Sequence, residues 1–116
     1  MVIIAITNLF ASDTQVDGIW YDFDSSTKTA SVTYRGSSYN DYNNEYSGSV
    51  VIPETVTYND ITYSVTTIGD YAFIYSYHLI SIIIGNSVIS IGDYAFAYCS
   101  NLTSVTVGIS VTTIGA

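Results

Sequence analysis

Residues 64–86 read SVTTIGDYAFIYSYHLISIIIGN, residues 87–109 read SVISIGDYAFAYCSNLTSVTVGI, and residues 110–116, SVTTIGA, open the same phrase a third time. The period is 23 residues, and the two complete copies agree at 12 of 23 positions. IGDYAF recurs without change, so fixed spacing and residue identity repeat together. The positions that stay apolar are Val65, Ile68, Ala72, Phe73, Leu79, Ile82 and Ile84 in the first copy. In the second they are Val88, Ile91, Ala95, Phe96, Leu102, Val105 and Val107. Val111 and Ile114 continue the series, and the positions between are mostly Ser, Thr, Tyr and Asn. One copy is too small to enclose its own apolar set, whereas stacked copies bury it as a continuous column.

Within a copy, the β-branched run Leu102–Val107 predicts a strand with Val105 and Val107 pointing in and Ser104 and Thr106 pointing out. Ser87–Ile91 predicts a second short extended piece. Gly92-Asp93 turns the chain, with backbone freedom the expected reason for glycine at 69, 92 and 115. Tyr94–Tyr98 is expected to make one or two turns of α or 3₁₀ helix, capped by Asp93. Phe96 should plug the core between coils, so that truncating it costs roughly 3–5 kcal/mol.

This pattern resembles the BspA-type leucine-rich repeat, a variant of about the same period found on bacterial surface proteins. The residues that carry the resemblance are Ile68–Phe73, Ile91–Phe96 and Cys99–Val105, and it covers Gly48 to Ala116. The chain departs from that pattern where Gly85 and Gly108 replace the usual proline, and at Ser76, Tyr77 and His78. The resemblance implies a right-handed, strand-dominated α/β solenoid with short helical turns, export from the cell, and non-catalytic binding of other proteins.

Upstream, Gly18–Phe23 and Thr29–Tyr34 alternate around the turn-like Asp24–Lys28, which predicts a β-hairpin. Residues 16–47 are read as an N-terminal β cap, since a solenoid needs its first coil covered. A partial coil at 48–63 follows, because Val50-Val-Ile52-Pro53 aligns with Val105-Thr-Val107-Gly108, and Asn59-Asp60 predicts a tight turn. The repeats 64–86 and 87–109 come next, then the unfinished repeat 110–116. That last repeat suggests a fragment able to associate end to end. Val2–Ala11 is an apolar run with two readings: the tail of a secretion signal, making 1–15 a remnant, or a first strand.

Composition narrows the function further. The net charge is −8, with Lys28 and Arg35 the only cations. Phosphate-backbone binding depends on clustered Lys and Arg, so nucleic acid is not an expected partner. Membrane insertion is not expected either, since the one long apolar run is too short to span a bilayer. Eight of the ten carboxylates fall at or before Asp60, leaving an almost uncharged, apolar second half that must pack. His78 aligns with Asn101, so the repeat does not require it, and no Cys/His set has metal-ligand spacing. Asp70 and Asp93 look like a carboxylate pair but recur with the repeat, which assigns them a structural task. Cys99 reads as a small buried residue, and Asn101-Leu-Thr103 matches a glycosylation sequon.

The resemblance implies a bacterial cell-surface or extracellular module, and the residues supply no catalytic set and no cofactor site. Its expected partners are extracellular, host or other cell-surface proteins. The candidate binding residues are Ser81, Ile83, Ser104 and Thr106, outward positions that stack into rows. A carbohydrate-binding β module using exposed tyrosines is the alternative.

Overall fold

A computed structural model describes residues 14–42 and 46–116. Val2–Ala11 and both of its readings lie outside them. The strands are β1 (Gln15–Val16), β2 (Ile19–Asp24), β3 (Thr29–Val32), β4 (Ser47–Ile52) and β5 (Thr55–Tyr58). They continue with β6 (Ile61–Ile68), β7 (His78–Ile84), β8 (Ser90–Ile91), β9 (Ser104–Thr106) and β10 (Thr113–Ile114).

From β3 onward the chain winds between two parallel ladders. One sheet runs β1-β2-β3-β6-β8-β10, with β5 paired to β6, and the other runs β4-β7-β9. The 23-residue period appears as register: Thr67 pairs with Ser90, Ser90 with Thr113, and Ile82 with Val105. The hairpin expected near the N-terminus is β2–β3, and Asp24 Oδ1 accepts the N–H groups of Ser26 and Thr27 in its turn. Its second strand is also a rung of the parallel ladder, since Thr29–Val32 pairs with Ser64–Ile68. Asn59 and Asp60, at φ of 49° and 65°, make the tight turn between β5 and β6, the twist that suits a two-residue hairpin.

The inner column is the one the repeat demands. Val65, Ile68, Phe73, Leu79 and Ile82 are fully buried, and Ala72 and Ile84 nearly so. Phe73 lies between Tyr46 and Phe96, with ring centroids at 4.3 and 5.1 Å. The second copy is covered on one side only. Val88, Ile91 and Ala95 are buried under β10, whereas Val105 and Val107, expected to point into a core, are nearly half exposed. The reason is topological: among the described residues β9 ends its sheet and no strand pairs with its outer edge. Phe96 is likewise only half buried, so its truncation costs less than a full core deletion.

The IGDYAF segments hold the main departure from expectation. No helix occurs among the described residues. Gly69–Ser76 is instead a run of overlapping turns, with the N–H groups of Ala72, Ile74 and Ser76 donating to the carbonyls of Gly69, Tyr71 and Phe73. Between these donors, the N–H groups of Tyr71, Phe73 and Tyr75 leave the turn and donate to Asp93, Ala95 and Ala97 of the next coil. A helix would direct all these donors along its own axis. The alternation requires left-handed residues, and Tyr71, Tyr75, Tyr94 and Tyr98 supply them at φ of 55–60°.

Glycine therefore has a different task from the one expected. Gly69, Gly92 and Gly115 are not among the left-handed residues. A Cβ on Gly92 would stand 2.6 Å from the Asp70 nitrogen. Close approach of successive coils, not backbone freedom, excludes a side chain there.

Candidate interaction surface

The four candidate residues come together on the outer face of the β4-β7-β9 sheet. Ser81 pairs with Ser104 and Ile83 with Thr106. Alternation from Ser81 onward places Ile82 and Ile84 inside and leaves Ile83 about half exposed, while the register shift at Ile80, which has no partner on β4, leaves that side chain half exposed and returns Leu79 to the inside. The same rows continue onto β4, where Ser49 pairs with Ser81 and Val51 with Ile83. Ser81 Oγ donates to Ser49 Oγ at 2.8 Å. The surface is therefore a hydroxyl row, Ser49-Ser81-Ser104, beside a bulkier row, Val51-Ile83-Thr106. Sequence reading stopped at β7 and β9, although the alignment of Val50–Pro53 with Val105–Gly108 already carried the signal for Ser49 and Val51.

Tyrosines dominate the opposite turn side. Tyr39, Tyr71 and Tyr94 form one stack, with centroids 4.2 and 5.6 Å apart, and Tyr75 and Tyr98 form another at 5.2 Å. Stacking along the coil axis covers the inner ring faces and leaves Tyr94 and Tyr98 exposed.

The carboxylates of the repeat bind backbone. Asp70 Oδ1 accepts the Asp93 N–H at 2.7 Å, and Asp93 Oδ1 accepts the Ala116 N–H at 3.0 Å. Each joins its coil to the following one, in place of capping a helix. Asn86 does the same by accepting the Ile109 N–H. Asn101, the sequon residue, donates its side-chain amide to the Tyr77 carbonyl at 2.7 Å. His78 lies exposed at the start of β7, paired with Ser47. Among the described residues no three His, Cys, Asp or Glu side chains gather as metal ligands would.

Two other groups are perturbed by their surroundings. Half-buried Cys99 donates to the Phe73 carbonyl at 3.1 Å, and burial pushes its thiol up, away from the thiolate that a nucleophile needs. On the outer side of β2, burial pushes Asp22 up to about 7, and its Oδ1 has no hydrogen-bond partner among the described residues. Beside it, half-buried Trp20 packs against the core, and the Arg35 guanidinium lies 5.2 Å from the Trp20 ring and 4.0 Å from Tyr42.

Comparison with known proteins agrees with this architecture. Solved structures that resemble the chain include a leucine-rich repeat protein from Bacteroides capillosus, 27% identical with a TM-score of 0.70 over 93% of this chain and 70% of the other. A leucine-rich cell surface protein from Faecalibacterium prausnitzii is 30% identical, with a TM-score of 0.65 over 88% of this chain and 26% of the other. A leucine-rich repeat protein from Bacteroides ovatus is 33% identical, with a TM-score of 0.71 over 86% of this chain and 24% of the other. The chain thus spans about a quarter of the length of the latter two. Comparison with curated protein sequences gives no match. The model of the BspA-type leucine-rich repeat region, in six copies, matches residues 23–116. It begins inside the hairpin, consistent with β3 as a rung of the ladder, and this chain belongs to the BspA-type leucine-rich repeat family.

Proposed function

We propose that this chain is a non-catalytic module of a bacterial cell-surface or secreted protein, and that it binds other proteins through the outer face of β4-β7-β9. The observation that carries the reading is the pair of rows Ser49-Ser81-Ser104 and Val51-Ile83-Thr106. They form a continuous surface on a parallel ladder, and neither row contains a charged side chain. Interface cores are depleted of charge, and the Val51-Ile83 row offers apolar area while the serine hydroxyls must find hydrogen-bond partners when covered. Surface display is supported by the likeness to the Faecalibacterium prausnitzii cell surface protein. Extracellular, host and neighbouring surface proteins are the partner class, with adhesion as the outcome.

Site-specific photo-crosslinking tests the face. A benzophenone side chain replaces Ile83 or Thr106 in one set and Tyr98 on the turn side in another, and each is irradiated with extracted bacterial or host surface proteins. Protein adducts are expected from positions 83 and 106. Adducts from position 98 alone would reject the face, and glycan capture without protein adducts would favour the carbohydrate alternative.

A further inference from the structure

Among the described residues, β4 has no neighbour on the side away from β7, so the β4-β7-β9 sheet is open at that edge. Alongside it lie two adjoining hollows of about 420 and 260 Å³. Asp17, Ile19 and Val51 line both. Val16, Val56 and Pro53 are among the other residues of the larger, and Ser47, Ser49 and Val50 among those of the smaller. The groove thus mixes apolar side chains such as Val16, Ile19 and Val51 with a polar surface, and on one side lies the backbone of a six-residue strand. A strand with an unpaired edge is a template for another, and chains that use such edges gain main-chain hydrogen bonds plus pockets for alternate side chains.

The charge around the groove selects the occupant. Asp17 stands exposed between the hollows, and Glu54 sits exposed between the lining residues Pro53 and Thr55. Neither hollow is lined by Lys or Arg. A second copy of this chain would bring its own Asp17 and a net charge of −8 against the first, which disfavours edge-to-edge pairing of copies. We infer that the open edge of β4 accepts an extended segment of a partner protein that alternates apolar and basic side chains, the apolar ones entering the hollows and the basic ones facing Asp17 and Glu54. This adds to the sheet-face reading without depending on it, because its recognition is by backbone at an edge.

The experiment uses the full chain and a fluorescent synthetic peptide of alternating valine and lysine, matched in length to β4. Binding is followed by polarisation, and backbone exchange by mass spectrometry. Expected are saturable binding, new protection confined to Ser47–Ile52, and loss of binding when alternate peptide amides are N-methylated on the edge-facing side. Asp17→Asn keeps a residue that tolerates the observed φ of 50°, and is expected to weaken binding several-fold in low salt. That difference should vanish near about 0.5 M salt, where the Debye length is only a few ångströms. Insensitivity to N-methylation would overturn the inference and leave a face ligand. Slow exchange at every residue of Ser47–Ile52 without peptide would also overturn it, since the edge would then be filled by residues 1–13 or a second copy.

Discussion

Replacing Gly92 by alanine separates two explanations of the repeated glycine, because they predict opposite signs. Gly92 lies outside the left-handed region. If backbone freedom were its only contribution, alanine would be accepted there and would stabilise the fold by about 0.4–1 kcal/mol through the unfolded state. The structure predicts the reverse. The new Cβ would stand 2.6 Å from the Asp70 nitrogen and 2.8 Å from the Gly69 carbonyl carbon. Ordinary contact begins near 3.4 Å, so the coils must separate by most of an ångström. The contacts stretched by that shift are the Gly92 N–H to the Ile68 carbonyl at 2.7 Å, the Asp93 N–H to Asp70 at 2.7 Å and the Tyr71 N–H to the Asp93 carbonyl at 3.0 Å. At about 1 kcal/mol per hydrogen bond, and with overpacking costing about 1–3 kcal/mol, Gly92→Ala should destabilise by about 2–3 kcal/mol. Gly69→Ala is the control: its Cβ would meet only the Val32 carbonyl oxygen, at 3.2 Å, and its effect should lie within about 1 kcal/mol of zero. Urea unfolding followed by Trp20 fluorescence and by circular dichroism measures both, with stability read from the midpoint at constant slope. A Gly92→Ala chain as stable as the parent would refute the close-approach argument.

Phe73→Ala removes a fully buried ring held between Tyr46 and Phe96 and should cost about 3–5 kcal/mol. Phe96→Ala removes a half-buried ring and should cost roughly half as much; equal costs would contradict the burial difference. Tyr98→Ala keeps a side chain at φ of 58° and loses the stack on Tyr75. Tyr98→Gly loses the stack but relieves the left-handed strain, and should be about 1–2 kcal/mol more stable than the alanine variant by urea titration. Between about pH 4 and 7 the folded chain keeps the Asp22 proton that the unfolded chain releases, because burial pushes this carboxyl from 3.8 to about 7. The stability this contributes is complete below pH 4 and lost as pH rises through 7, so the Tm of the parent should fall relative to Asp22→Asn across that interval. A pH-independent Tm difference would show that Asp22 ionises normally.

Much of the solenoid was legible because burial and period are the same information in a stacked chain. Val65, Ile68, Phe73, Leu79 and Ile82 recur every 23 residues because each occupies one column, so their identity announced their environment. The outward rows were legible by alternation alone, which placed Ser81, Ile83, Ser104 and Thr106 on one face without any contact being known. The turn was not legible, since Tyr94–Tyr98 is short and its apolar spacing fits a helix as well as a chain of turns. What decides between them is the fate of every second N–H. In a single coil a helix would satisfy those donors internally, but a neighbour 23 residues away offers the carbonyls of Asp93, Ala95 and Ala97 to Tyr71, Phe73 and Tyr75. The partner lies outside any local window, so propensity reads only half of the competition. Four tyrosines at φ of 55–60° show the cost the coil accepts for that exchange. Tyrosine has no special ease in the left-handed region, and only its stacking on the next coil explains its choice over Asn or Gly. The Asp70–Asp93 link follows the same rule: a side chain that would cap its own helix turns instead to the N–H of its repeat image. In this fold, therefore, local reading fails where successive coils exchange hydrogen bonds and succeeds where they share a core.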